Sequence, residues 1–167
     1  MKVYIGRYPK NPNKEQKISV RIDKWDTWSM DNTLAHIVTP MLKQLNETKH
    51  GAPYVHDEDV PVELQKVSAP PTENEWDTDE NHFKRWDWVM GEMIFAFESK
   101  LTDWEEQFWK RHPKLDLSDH PEDEGKDFTP VRWLDEGEYD KEGLRKMEER
   151  IQNGFRLFGK YYQGLWD

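Results

Sequence analysis

The sequence predicts an α+β fold in which an N-terminal β-hairpin and a third strand pack on three to four amphipathic helices. Two patterns point there. Short β-type runs lie near the N-terminus and around residues 128–134, and longer stretches repeat apolar residues every three or four positions. The third observation is aromatic content. A mean hydropathy of −1.09 with 35% charged residues resembles a disordered chain. Nine Trp, six Tyr and seven Phe nevertheless supply the apolar surface of a core. At 167 residues the chain is sized for one domain, residues 1–167.

Val3-Tyr4-Ile5 and Ile18-Ser19-Val20-Arg21-Ile22 read as the two hairpin strands, joined through the turn-rich segment Pro9-Lys10-Asn11-Pro12-Asn13. Alternation places Ile18, Val20 and Ile22 on one face, which predicts a sheet covered on that side and wet on the other. The apolar positions Leu34, Ile37, Val38, Met41, Leu42 and Leu45 predict a first helix over about 32–47, with Ser29 or Asp31 as N-cap and Pro40 as a kink or true start. Residues 51–76, with four prolines and the run Asp57-Glu58-Asp59, read as a long loop with one helical turn at Val62–Gln65.

Asp77-Thr78-Asp79-Glu80 offers a capping box for a central helix whose stripe is Phe83, Trp86, Met90, Met93, Phe97 and Leu101. A second box, Thr102-Asp103-Trp104-Glu105, predicts a break and a shorter helix to about Arg111. Residues 112–127 read as an acidic loop. Phe128–Leu134 follows as an edge strand that could pair with the hairpin. From the N-cap Asp140, the positions Leu144, Met147, Ile151, Phe155, Phe158, Tyr162 and Leu165 predict a last helix running to the chain end. Glycines 143, 154, 159 and 164 within it imply close packing against a neighbour.

The formal net charge of −10 makes nucleic acid a disfavoured partner unless one face is locally basic. Without cysteine there are no disulfides or thiolate metal sites. No apolar run approaches the roughly 20 residues that span a bilayer, so no membrane partner is expected and the cytoplasm is the expected compartment.

Tryptophans recur before aspartates at Trp25-Asp26, Trp76-Asp77, Trp86-Asp87 and Trp166-Asp167, without the fixed period of a repeat protein. They read either as core and cap residues or as a Trp-lined pocket with carboxylates at its rim. The candidate ligand or partner residues are Trp25, Trp28, Trp76, His82, Arg85, Trp86 and Trp88. None of the six histidines has metal-site spacing, although His56 with Asp57–Asp59, or His112 with Asp119, His120, Asp123 and Glu124, could gather a divalent ion. Phosphate loops, dinucleotide fingerprints, nucleophile elbows and cysteine nucleophiles are all missing, and this favours a protein that is not an enzyme and needs no cofactor.

Three stretches carry a family resemblance: residues 24–31 (Lys-Trp-Asp-Thr-Trp-Ser-Met-Asp) through Lys49-His50-Gly51, residues 76–88 from Trp76 to Trp88, and residues 153–162 from Asn153 to Tyr162. They resemble small uncharacterised proteins encoded by tailed bacteriophages, many of them marine. The resemblance implies a setting, the cytoplasm of an infected bacterium or the virion, and no catalytic residue.

The leading expectation is therefore a binding protein acting on a host or phage component: a protein, or a small nucleotide-like ligand held in a Trp-rich pocket, with homo-oligomerisation open. A metal-dependent nucleotide hydrolase is the alternative, with magnesium or manganese on Glu92, Glu98, Glu148 and Glu149. Those glutamates lack the Glu-x-x-Glu pairing that helical pyrophosphatases use, Glu92 and Glu98 being six apart. A virion component and an acidic DNA mimic are further readings. Mimicry requires carboxylate rows cleared of cations, and 24 basic residues are interspersed here.

Overall fold

The helix with the most continuous apolar stripe is the one the others pack on. The computed structural model describes every residue except Tyr8, Glu75, Lys126, Thr129 and Asp167. Helix α2 (His82–Ser99) buries Trp86, Val89, Met90, Met93, Ala96 and Phe97, a stripe at three-and-four spacing. Helix α1 (Met30–Thr48) packs antiparallel on one side of it. Asn32 donates to the Lys100 carbonyl at 2.8 Å at one end, and Lys49 meets Asp87 at 2.7 Å at the other. Helix α3 (Lys141–Lys160) packs on α2 as well, burying Ile151 and Leu157 and stacking Phe155 and Phe158 edge-on against Phe97.

Gly154 makes the α2–α3 contact possible. A Cβ there would lie 2.4 Å from the Glu92 carbonyl oxygen and 2.5 Å from the Ala96 Cβ, so only glycine fits at this separation. Gly159, five residues further along α3, has nothing within 4 Å of the position a Cβ would take. The packing expected of the α3 glycines therefore holds at Gly154 and not at Gly159.

Pro40 does not divide α1, which runs through it, and Ser29 sits at the N-cap without a side-chain bond. The box expected at Asp77–Glu80 does not form. Asp79 instead accepts the Asn81 N–H at 2.8 Å, and α2 starts at His82. The second box is missing as well: residues Trp104–Phe108 form a 3₁₀ turn, and the chain then enters a strand. Asp140 does cap α3, accepting the Gly143 N–H at 3.0 Å, but α3 ends at Lys160 and leaves Tyr162 exposed.

Strands β1 (Lys2–Ile5) and β2 (Ile18–Arg21) form the antiparallel hairpin in the register Val3 opposite Val20 and Ile5 opposite Ile18. The expectation of one covered face fails. Val3, Ile5, Ile18, Val20 and Ile22 are all 40–61% exposed, and the hairpin makes no extensive contact with any helix. The expected third strand also lies elsewhere. Of the described residues in 128–134, only 133 and 134 are in a strand, β5 (Trp133–Asp135), and it pairs with β4 (Lys114–Leu115) instead of the hairpin. Beside them, β3 (Trp109–Arg111) pairs with β6 (Glu138–Tyr139), stacking Trp109 on Tyr139 at 4.4 Å. Gly137, at φ 78°, permits the close return, because a Cβ there would meet the Arg111 carbonyl at 2.6 Å.

Residues 51–76 are more ordered than a solvated loop. They contain 3₁₀ turns at Asp57–Asp59, Val62–Leu64 and Lys66–Ser68, the second at the expected place, and they bury Val55, Val60 and Asp59. Asp59, 3% exposed, lies 2.7 Å from Arg156 and 2.6 Å from Lys160 and accepts the Tyr161 hydroxyl at 2.6 Å. The Arg156 contact is an ion pair at short distance without hydrogen-bond alignment at Oδ1. Burial raises the Asp59 pKa, but Lys160, Tyr161 and Arg156 together outweigh it and hold the carboxyl below its ordinary value. Burial and the Asp59 hydrogen bond push the Tyr161 phenol up to about 12.

These contacts generate two predictions. Gly154→Ala is expected to destabilise the protein by about 1–3 kcal/mol, since backbone must move to admit the methyl, whereas Gly159→Ala should stabilise it by up to about 1 kcal/mol through helix propensity. Urea denaturation of both variants checks the opposite signs. The second concerns pH. The lowered Asp59 pKa stabilises the fold above the unfolded carboxylate pKa of about 4, and that contribution is lost as pH falls through the lower folded value. The raised phenol pKa stabilises below the unfolded value of about 10, and that contribution is lost as pH rises toward about 12. Tyr161→Phe should lower stability at neutral pH by about 1–3 kcal/mol and remove the phenol's share of the alkaline loss, read from melting temperature against pH.

Candidate functional site

The tryptophans proposed as one pocket occupy three separate environments. Trp86 is 1% exposed and packs edge-on against Tyr161, and Trp88 is half-buried against the same core. These two are structural. Trp25 and Trp28 sit at the base of the hairpin, largely exposed, with ring centroids 6.4 Å apart. Trp76 is 92% exposed and lines a cavity of about 620 Å³ together with His82 and Arg85. Three of the seven candidates therefore converge.

The carboxylates that follow the tryptophans do not form a rim. Asp26 accepts the Asp23 N–H at 2.7 Å and holds the N-terminal ammonium at 2.6 Å; Asp77 accepts from Asn74 at 2.8 Å; Asp87 pairs with Lys49. Asp167 lies outside the described residues. The Trp-Asp recurrence is thus one of caps and ion pairs.

Three segments build the cavity. Tyr54 comes from the stretch after α1, Lys66 to Pro71 from the last 3₁₀ turn and its proline wall, and Trp76 to Arg85 from the entry of α2. Short bonds hold the segments together. Asp57 accepts the Lys66 N–H at 3.0 Å, Ser68 donates to the Val62 carbonyl at 2.6 Å, and His82 Nε2 lies 3.2 Å from the Ala52 carbonyl oxygen. Arg85, 2% exposed, donates to the Leu64 carbonyl at 2.9 Å and to Asp79 at 2.6 Å. Its buried Nε has no hydrogen-bond partner among the described residues. Burial raises the Asp79 pKa, but Arg85 and the Asn81 N–H outweigh it and leave the carboxyl below its ordinary value. The Lys66 ammonium lies 4.6 Å from the Tyr54 ring centroid, and the Tyr54 hydroxyl holds its pKa above the usual value.

Tyr54 and Lys66 were not among the sequence candidates. Their segment reads locally as an acidic loop, and the one available signal was Pro70-Pro71, a rigid wall beside an aromatic.

The metal alternative finds its glutamates dispersed. Arg150 grips Glu92 through Nε, at 3.1 and 3.0 Å, and Nη2, at 2.7 Å, and covers the Phe95 ring at 3.6 Å. Glu98 pairs with Lys43 at 2.5 Å, Glu149 pairs with Arg145, and Glu148 is exposed. The histidine sets are also apart: His112 meets Glu106, His120 meets Asp116 and Glu122, and Asp123 meets Arg132. Among the described residues no group of three or more His, Asp or Glu could hold a metal ion. No helix among them is long and apolar enough to cross a membrane. No family model, curated protein or solved structure gives a significant match to the chain.

Glu92→Gln tests the structural role of that glutamate. Loss of its charge-assisted pair with Arg150 should cost about 1–3 kcal/mol of unfolding free energy, measured by urea titration. A hydrolase would instead lose magnesium-dependent nucleotide turnover at unchanged stability.

Proposed function

We propose that the chain is a non-enzymatic binding protein of a tailed bacteriophage, acting in the infected cell, and that it holds a small nucleotide-like ligand in the Trp76 cavity. One observation carries this reading: an indole almost wholly open to solvent stands beside Lys66, His82 and Arg85 in a concavity of about 620 Å³, within the size range of small-ligand sites. Trp76 supports no core packing, so its exposure has no structural use. A planar base stacked on the indole places its phosphate within reach of the Lys66 ammonium. The phage setting rests on the resemblance of the three stretches given above.

Titration calorimetry against mononucleotides and cyclic dinucleotides tests the reading. Micromolar binding to at least one is expected. Trp76→Ala should weaken it by about 5- to 150-fold, the ~1–3 kcal/mol of a base–aromatic stack, while the control Trp133→Ala leaves it unchanged. No heat with any of the panel, or equal affinity in Trp76→Ala, overturns it.

A further inference from the structure

Helix α1 has a wider apolar arc than its own chain covers. Ala35, Thr39 and Leu42 face α2 and are buried. About a quarter turn away, at 100° per residue, Met30, Leu34, Val38, Met41 and Leu45 form a second stripe at spacings of four, four, three and four. Of these, Met30, Leu34 and Met41 are 43–58% exposed. At its C-terminal half this stripe is one wall of an apolar groove of about 820 Å³, whose other wall is Phe158, Tyr162 and Leu165. At its N-terminal end it runs into Trp28, 83% exposed, and the open aliphatic face of the hairpin.

From this surface we infer that the chain forms a two-fold dimer through antiparallel pairing of α1 with α1 of a second copy, the Trp28 end of each helix filling the groove of the other. The spacing of the stripe is self-complementary. A two-fold axis between Ile37 and Val38 sets Met30 opposite Leu45 of the second copy, Leu34 opposite Met41, and Val38 opposite Ile37. The same axis brings Trp28 beside residue 47 of the second copy, at the groove mouth formed by Thr48 and Tyr162. The stripe, with the exposed indoles of Trp25 and Trp28 at its end, offers an apolar contact on the order of the ~800 Å² that each partner contributes to a standard interface. Charge agrees: residues 1–28 hold seven Lys or Arg against three Asp or Glu, and the rest of the chain holds 17 against 31. Antiparallel pairing carries each basic end onto the acidic body of the other copy. A foreign protein has no comparable reason to match this register, so the second copy is the occupant.

Sedimentation velocity on the full chain at about 10–100 μM should give a species of twice the 20.2 kDa chain mass. Leu34→Glu and Met41→Glu, both at exposed positions, should each keep the helical circular dichroism and weaken the dimer about 100-fold. Register is tested by cross-linking, since the chain has no cysteine of its own. Within one helix residues 34 and 41 are about 10 Å apart, too far for a disulfide, so a Leu34→Cys, Met41→Cys double variant can bridge only between copies. Oxidation should give a covalent dimer with the double variant and with a mixture of the two singles, and little with either single alone. A monomer at 100 μM, a dimer indifferent to both glutamates, or cross-linking by either single as efficient as by the double overturns the inference. A monomer would assign the stripe to a different protein.

Discussion

A carboxylate that is 3% exposed has to be met by cations or lose its charge, and Asp59 is met by Arg156 and Lys160, one turn apart on α3, and by the Tyr161 hydroxyl. That compensation fixes much else. The Tyr161 oxygen also accepts the His56 N–H at 3.0 Å, so one phenol ties the segment after α1 to the end of α3. With His56 and Asp59 pinned, Val55 and Val60 are delivered to the core, and Tyr54 and Lys66 on either side become walls of the cavity. Arg85 repeats the arrangement with signs exchanged: a buried guanidinium held by Asp79 and by the Leu64 carbonyl. Asp59 lies within the irregular segment and Arg85 reaches it from α2 through the Leu64 carbonyl, and together they give it the definition that a helix or strand would otherwise supply.

The three long helices were legible because a 3.6-residue period is a local signal, and each apolar stripe had a core to face. Pro40 does not mark the start of α1: its missing N–H would have bonded to the carbonyl of His36, an exposed residue, and the helix runs through. The capping boxes misled for a different reason. Asp77 had a competing donor in Asn74, and Asp79 was drawn to Arg85, which no four-residue motif encodes. Residues 109–111 read as helix from their neighbours but pair with Glu138–Tyr139, nearly thirty positions away. Such pairing leaves no trace in local periodicity.

For the site, residue type alone did not separate interior from surface tryptophans, but position on the stripe did. Trp86 falls in line with Met90, Met93 and Phe97 and is core, while Trp25, Trp28 and Trp76 lie off any helical stripe and are exposed. Tyr54 and Lys66 were invisible because nothing in residues 54–66 repeats. Their placement follows from Asp59, which the sequence presents only as the end of an acidic run.

The same pairing logic decides how the net charge acts. Asp59, Asp79, Asp87, Glu92, Glu98, Asp123, Glu142 and Glu149 each meet a Lys or Arg, so these carboxylates form no bare row of the kind that imitates a phosphate backbone. In contrast, none of Lys2, Arg7, Lys10, Lys14, Lys17, Arg21 and Lys24 forms an ion pair with a described residue, and the hairpin that carries most of them stands clear of the helices. The molecule is therefore polar end to end, a basic arm on an acidic body. Two copies of net charge −10 repel overall, and side by side they repel less when antiparallel than when parallel, with a range set by a Debye length of about 8 Å. The orientation that electrostatics penalises least is thus the one in which the α1 stripes meet in register, and the apolar contact supplies the attraction.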